Sequence, residues 1–172
     1  YGNFITVAIN FVLLAFNQLV THASKFHYMD NGQTSVPMVV WAAIGRGWGS
    51  GAQHSQAIHG MLLGVPGLKI VMPTTPYDAK GLVKSAVRDD NPVIFCEHMS
   101  LMHGRREEVP DTEYLVPIGK ADIKRQGRDL TIIAAGLMVK RSLAAADELA
   151  KSGIEAEVVD LRTILPLDAD LM

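Results

Sequence analysis

Apolar residues fall along the chain in short continuous runs separated by stretches of helical spacing. Ile5-Thr6-Val7-Ala8-Ile9 reads as a strand or the end of one, and from Phe11 the spacing changes to Phe11, Leu14, Ala15, Leu19, Ala23 and Phe26. That spacing predicts a helix, stopped by Asp30-Asn31-Gly32. Val36 to Trp41 and Leu68 to Met72 read as buried strands, with a short helix expected over Gln56 to Leu63 between them. Thr75-Pro76-Tyr77-Asp78 is a helix start: Thr75 can cap, Pro76 suits the first helical position, and Asp78 favours the positive end of the dipole. Ala79, Leu82, Val83, Ala86 and Val87 then form a buried stripe, and Pro92 forces a new strand at Val93 to Cys96. Alternating strands and helices at this spacing predict βαβ units and a parallel sheet.

From Glu97 to Pro117 the pattern dissolves into a polar loop, which suggests a domain boundary. Strands are expected at Lys120 to Arg125, Leu130 to Ala135 and Ile154 to Leu161, with a helix carrying Val139, Leu143, Ala146 and Leu149. Arg162 to Pro166 leads toward a further helix. The fold class is therefore α/β, with one domain before the polar loop and the start of a second after it. The chain opens without methionine in apolar sequence and stops just after a helix-start signal, so both ends are expected to be cut from something longer.

The stretch Gly45 to Gln56, G-R-G-W-G-S-G-A-Q-H-S-Q, joins a predicted strand to a predicted helix. Its glycines let the backbone take positive φ and approach another molecule. His54 is thereby expected at the carboxyl end of a parallel strand, where open α/β sheets bind ligands. A histidine there can serve as acid or base near neutral pH. The stretch is neither a dinucleotide fingerprint nor a Walker loop, since no long helix with a distant acid and no Gly-Lys-Ser/Thr follows.

Of the 172 residues, 48% are hydrophobic and 20% charged, with a formal net charge of -2. The scattered basic residues lack the concentrated face that nucleic-acid binding needs. Asn10, Asn17 and Gln18 break the apolar N-terminal stretch too often for a membrane span. The single cysteine, Cys96, lies in an apolar run and reads as a small buried hydrophobe; with no partner for a disulfide, it fits a reducing compartment.

Six blocks in order carry a family resemblance: V-P-M-V-V at Val36, A-Q-H-S-Q at Ala52, V-P-G-L-K-I-V-M-P at Val65, T-P-Y-D-A-K-G-L at Thr75, R-D-D-N-P-V-I-F at Arg88 and D-L-R-T-I-L-P-L-D at Asp160. Together they resemble the beta subunit of the thiamine-diphosphate-dependent first component of 2-oxoacid dehydrogenase complexes, in the pyruvate and acetoin dehydrogenase branch. The resemblance implies a pyrimidine-binding domain with a parallel sheet over residues 1–115, its N-terminal part missing, followed by an incomplete transketolase C-terminal-like α/β domain over residues 116–172. It implies oxidative decarboxylation of a 2-oxoacid, most simply pyruvate, with acyl transfer to a lipoyl group. The cofactor would be the electron sink, and the protein would orient it and handle protons.

The same resemblance implies an alpha subunit that binds the diphosphate and magnesium, a heterotetramer, and a lipoyl acyltransferase core as partner. It assigns His54 to proton transfer or lipoyl acylation. It also implies a structural potassium ion held mainly by backbone carbonyls at Met38, Ala86, Val87, Asp89 and Asn91. Carbonyls at a helix end lack intrahelical partners and carry partial negative charge, which suits a cation. The location implied is the bacterial cytoplasm or the mitochondrial matrix.

Three positions depart from the family pattern: Trp41 stands where Arg is common, Ala43 where Pro is common, and Met102 where Tyr is common. The glutamate that activates the aminopyrimidine is expected upstream of Tyr1, so the chain alone is expected to be inactive. Alternative functions are an acetoin dehydrogenase beta subunit, another thiamine-diphosphate enzyme of the transketolase class, and a non-catalytic subunit that retains only assembly surfaces.

Overall fold

Five strands form the first sheet, in the spatial order β1 (Asn3–Ala8), β2 (Met38–Ile44), β4 (Val93–His98), β3 (Lys69–Val71) and β8 (Thr163–Leu165). This computed structural model describes residues 3–46, 49–104 and 106–171. The first four strands run parallel, with Val39 opposite Val93 and Lys69 opposite the same Val93. The near-continuous apolar sequences of β2, β3 and β4 follow from burial on both faces. One face packs Val40, Ala42, Ile70, Ile94 and Cys96 against Ile9, Val12, Leu19 and Leu62. The other packs Val39, Val71, Val93 and Phe95 against Leu82 and Ala86 of helix α2 (Pro76–Val87).

The start of α2 forms as its sequence dictates. Thr75 Oγ1 accepts the Asp78 N–H at 3.1 Å and donates to Asp78 Oδ2 at 2.7 Å. The end of the expected polar loop does not leave this helix. A Cβ added at Gly81 would meet Val116 Cγ2 at 2.4 Å, so the missing side chain lets the connecting segment lie directly on α2. Ser85 Oγ donates to the Val116 carbonyl, and Tyr114 stacks on Tyr77 with ring centroids 4.4 Å apart.

The second sheet has the order β5 (Asp122–Arg125), β7 (Ala156–Asp160), β6 (Leu130–Ala134). β6 is parallel to β7 and β5 antiparallel. Helix α4 (Leu137–Ala150) buries Val139 and Ala146 against Ala156 and Val158. The Ile154 strand is thus central in its sheet, and the Leu130 strand is an edge.

Two sequence expectations are corrected, and one strand is added. The helix from Phe11 to Phe26 is instead a 3-10 segment at Ile9–Ala15, a π segment at Gln18–Ala23 and one α turn, α1, at Phe26–Met29. Leu13 and Leu14 are exposed, and Ser24 Oγ donates to the Val20 carbonyl, so no single buried face holds a regular helix. The helix expected over Gln56 to Leu63 is only a 3-10 turn at Ile58–Leu62, where Gly60 and Gly64 weaken helix propagation. Arg162 to Pro166, read only as a lead toward a helix, holds β8, which crosses to the first sheet and pairs antiparallel with β3. Two further elements differ in extent. β4 runs on to His98, and a one-turn helix α3 (Met99–Met102) follows inside the expected loop. Cys96 is fully buried, and burial pushes its thiol up to about 12, so it packs as a hydrophobe. Among the described residues no helix is long and apolar enough to cross a membrane.

Candidate functional site

The glycine-rich stretch leaves the carboxyl end of β2 as a loop whose two ends are pinned. The Gly45 N–H donates to the Gln56 carbonyl at 3.0 Å, closing the loop at its base. Gly45 has φ +73, and a Cβ there would lie 2.3 Å from His98 Nε2, so only glycine fits beneath that ring. Further along, Gly49 and Gly51 also have positive φ, but an added Cβ would meet nothing within 4 Å. That part of the backbone is open to approach by another molecule. Gly47 and Trp48 lie outside the described residues.

His54 ends a 3-10 turn, Ala52–His54, directly after Gly51. It is half-buried, and its ring stacks on Phe11 with centroids 5.0 Å apart and an interplanar angle of 26°. Phe11 is 47% exposed, so the pair presents a flat aromatic face toward solvent. Phe11 is the partner that spacing alone does not reveal. In the sequence it belongs to a helical stripe, and only the packing of the first 3-10 segment on the loop brings it to His54.

His98, at the end of β4, is the second residue missed. Its Nδ1 accepts the Ser100 N–H at 3.1 Å, and Ser100 Oγ donates to the Arg46 carbonyl at 2.9 Å. Partial burial, then the Arg141 charge, hold the imidazolium form of His98 below the usual histidine range. Glu97, one residue earlier, is pushed above the usual carboxylate range by burial, partly offset by a hydrogen bond from Trp41. The substituted Trp41 thus supplies a donor to that carboxylate and packs edge-on against Phe95 at 6.4 Å. Ala43 lies opposite Glu97 in the sheet, and Met102 closes α3, partly exposed.

The positions read as a cation site fall at one end of α2. Ala86 and Val87 are its last residues, and the Ala86 carbonyl accepts the Asp89 N–H at 3.3 Å. Asp89 Oδ1 accepts the Asn91 N–H at 2.9 Å, while Lys69 Nζ lies 2.5 Å from Asp89 Oδ2. Val36 N–H donates to the Asp90 carbonyl, and Val39 is in register with Val93, which draws Met38 alongside the turn. The Asp89 carboxylate is already matched by Lys69, so a cation here would rest on carbonyl oxygens. Among the described residues, no group of three or more His, Cys, Asp or Glu side chains could hold a metal ion.

Residues 1–104 match the family profile of the transketolase pyrimidine-binding domain, and residues 119–172 that of the transketolase C-terminal domain. The acetoin:2,6-dichlorophenolindophenol oxidoreductase subunit beta of Cupriavidus necator is 51% identical over 94% of this chain and 48% of its own length. The 2-oxoisovalerate dehydrogenase subunit beta of Bacillus subtilis is 50% identical over 94% of the chain and 49% of its own length. The pyruvate dehydrogenase E1 component subunit beta of the same organism is 47% identical over 93% and 49%. The chain spans about half the length of these relatives. Among solved structures, a split-gene transketolase described as an inactive beta4 tetramer superposes with a TM-score of 0.75 at 26% identity, covering 98% of this chain and 51% of the other.

Proposed function

Because the chain belongs to the family of the transketolase pyrimidine-binding domain, with a transketolase C-terminal domain after it, we propose that it serves as beta subunit in the thiamine-diphosphate-dependent first component of a 2-oxoacid dehydrogenase complex. The reaction would be oxidative decarboxylation, with pyruvate as the 2-oxoacid, followed by acyl transfer to a lipoyl group. The observation that carries this reading is the His54–Phe11 ring pair on an open glycine loop at the carboxyl edge of the parallel sheet. Thiamine diphosphate, when bound, supplies the electron sink for decarboxylation.

This chain's residues have three tasks in that reading. Phe11 offers a flat apolar surface on which a planar aminopyrimidine can stack. The bare backbone at Gly49 and Gly51 lets a ligand come close without a side chain between. His54, held by its stack on Phe11, takes or gives a proton at a ring nitrogen during acyl transfer. The diphosphate and its magnesium would be held by an alpha subunit, the two subunits forming a heterotetramer that docks on a lipoyl acyltransferase core. A potassium ion on the carbonyls of Met38, Ala86, Val87, Asp89 and Asn91 would brace the end of α2. The setting would be the bacterial cytoplasm or a mitochondrial matrix.

Replacing His54 by Ala in the assembled component tests the reading. Thiamine diphosphate binding should persist while lipoyl-dependent turnover of pyruvate falls about 10²-fold or more, the scale of a positioned acid–base group. Full turnover in the variant, with both an artificial electron acceptor and the lipoyl substrate, refutes the role of His54. Acetoin is the second substrate to assay, because the Cupriavidus necator relative at 51% identity is named for it.

A further inference from the structure

A cavity of about 910 Å³ opens between the first sheet and α4, beyond the carboxyl ends of β2 and β4. Buried Ile44 and Met72, with half-buried Ile164, give it an apolar lining. Its titratable lining residues are Arg46, His59, His98 and Arg141, and no carboxylate is among the described residues that line it. Arg46 comes from the glycine loop and Arg141 from α4, and both are exposed. Arg141 lies close enough to His98 for its charge to be felt there. The amino end of α4 adds Leu137 and Met138 to the wall and has no acidic residue in its first turn. Its partial positive charge is therefore not offset by a side chain of that turn.

We infer that this interdomain cavity binds a carboxylate carrying an apolar chain, with its head between Arg46 and Arg141 and its chain over Ile44, Met72 and Ile164. The volume is within the range of small-molecule sites, and an apolar lining with a few charged groups is their usual chemistry. A cationic rim without an acid selects an anion over a neutral or cationic amphiphile. An apolar interior selects a ligand with a hydrocarbon body over a bare inorganic anion. The lining residues include neither His54 nor Phe11, so occupancy is a separate event from the proposed catalysis. A ligand here touches the glycine loop, β4 and α4 together, and so joins the two sheets.

Calorimetric titration of the whole chain with octanoate at low ionic strength tests this. Octanoate should bind, octylamine should not, and 1-octanol should bind more weakly than octanoate. Arg46→Gln and Arg141→Gln should each weaken octanoate roughly tenfold, the scale of one charge-assisted hydrogen bond. Met138→Glu, an exposed change that adds a repelling charge, should weaken it as well, and added salt should act in the same direction. Circular dichroism of each variant checks that the fold is retained. Absence of octanoate binding, equal binding of the three probes, or unchanged affinity in a folded Arg46→Gln/Arg141→Gln double variant would each overturn the inference.

Discussion

Replacing Asp78 by Asn probes the junction between the two sheets by removing a charge with almost no change in volume. Asp78 is fully buried at the start of α2, and its carboxylate meets Lys124 Nζ at 2.8 Å and Arg162 Nη1 at 3.4 Å. Both cations come from the second unit. Burial pulls the Lys124 ammonium down, but Asp122 and Asp78 outweigh it and hold the group above the usual lysine value. Removing one partner of a buried ion pair costs about 3–5 kcal/mol. Two features move the expectation to the low end. Lys124 keeps Asp122 at 2.7 Å, and Arg162 keeps the Lys120 and Ala121 carbonyls at 3.1 and 2.9 Å. Asp78→Asn should therefore cost about 3 kcal/mol, which for a chain of this size lowers Tm by roughly 6–12 °C. Thr75→Ala, which removes the cap and the hydroxyl's bond to Asp78 Oδ2 but leaves both cations, should cost about 1–2 kcal/mol. Urea unfolding at neutral pH measures both. A double-mutant cycle with Lys124→Met separates the pair from helix propensity. An Asp78→Asn protein within about 0.5 kcal/mol of its parent, below even a surface-pair effect, would refute the reasoning.

Other expectations follow from single groups. Gly45→Ala should destabilise by at least about 2 kcal/mol, from the positive φ and the Cβ contact with His98 together, and His98→Ala should relieve part of that in a double variant measured by urea unfolding. Burial raises the Asp160 carboxyl from an ordinary 3.8 to about 6. The folded state therefore holds a proton there that the unfolded state has released, so this group's contribution to stability falls as pH rises from about 4 through 6. Asp160→Asn should flatten that part of the stability–pH curve relative to the parent, and parallel curves would exclude the effect. Potassium should stabilise the fold over tetramethylammonium at equal ionic strength, by about 2.7 kcal/mol at a hundredfold excess over Kd, seen as a higher Tm. Asp89→Ala, which loosens the turn through Asn91, should shrink that difference, and identical melting curves in the two salts would count against the ion.

The parts of the fold that could be read from sequence are those whose causes are local. The strands at Val93 and Leu68 are apolar runs because both their faces are covered, and α2 starts where Thr75, Pro76 and Asp78 make a helix start inevitable. The segment from Ile9 to Met29 has the apolar spacing of a helix but breaks into three kinds of turn, since spacing says nothing about which residues find cover. The same limit hid Phe11: the chemistry of His54 could be suspected from its loop, whereas the ring beside it is a matter of tertiary packing. Arg46, His98 and Arg141 are set on a loop, a strand end and a helix, and nothing in their spacing announces that they face one cavity.

β8 shows why a block of sequence can be distinctive while its structure is misread. Arg162 to Pro166, judged by its neighbours in the chain, looks only like a lead toward a helix, and the strand Thr163–Leu165 within it goes unseen. Its side chains act at longer range. Asp160 Oδ1 accepts the Arg162 N–H at 3.0 Å and shapes the turn, where Arg162 has φ +53. Arg162 then reaches Asp78 and the backbone carbonyls of Lys120 and Ala121, and buried Thr163 accepts the Gly119 N–H at 2.9 Å. The strand that follows completes the edge of the first sheet at Ile70 and Val71. Asp160 thus shapes the turn for Arg162, while Arg162 and Thr163 each bind partners far away in the chain, demands on residue identity that no helix or strand propensity expresses. A motif of this kind identifies a family sharply and predicts its own secondary structure poorly, for one and the same physical reason.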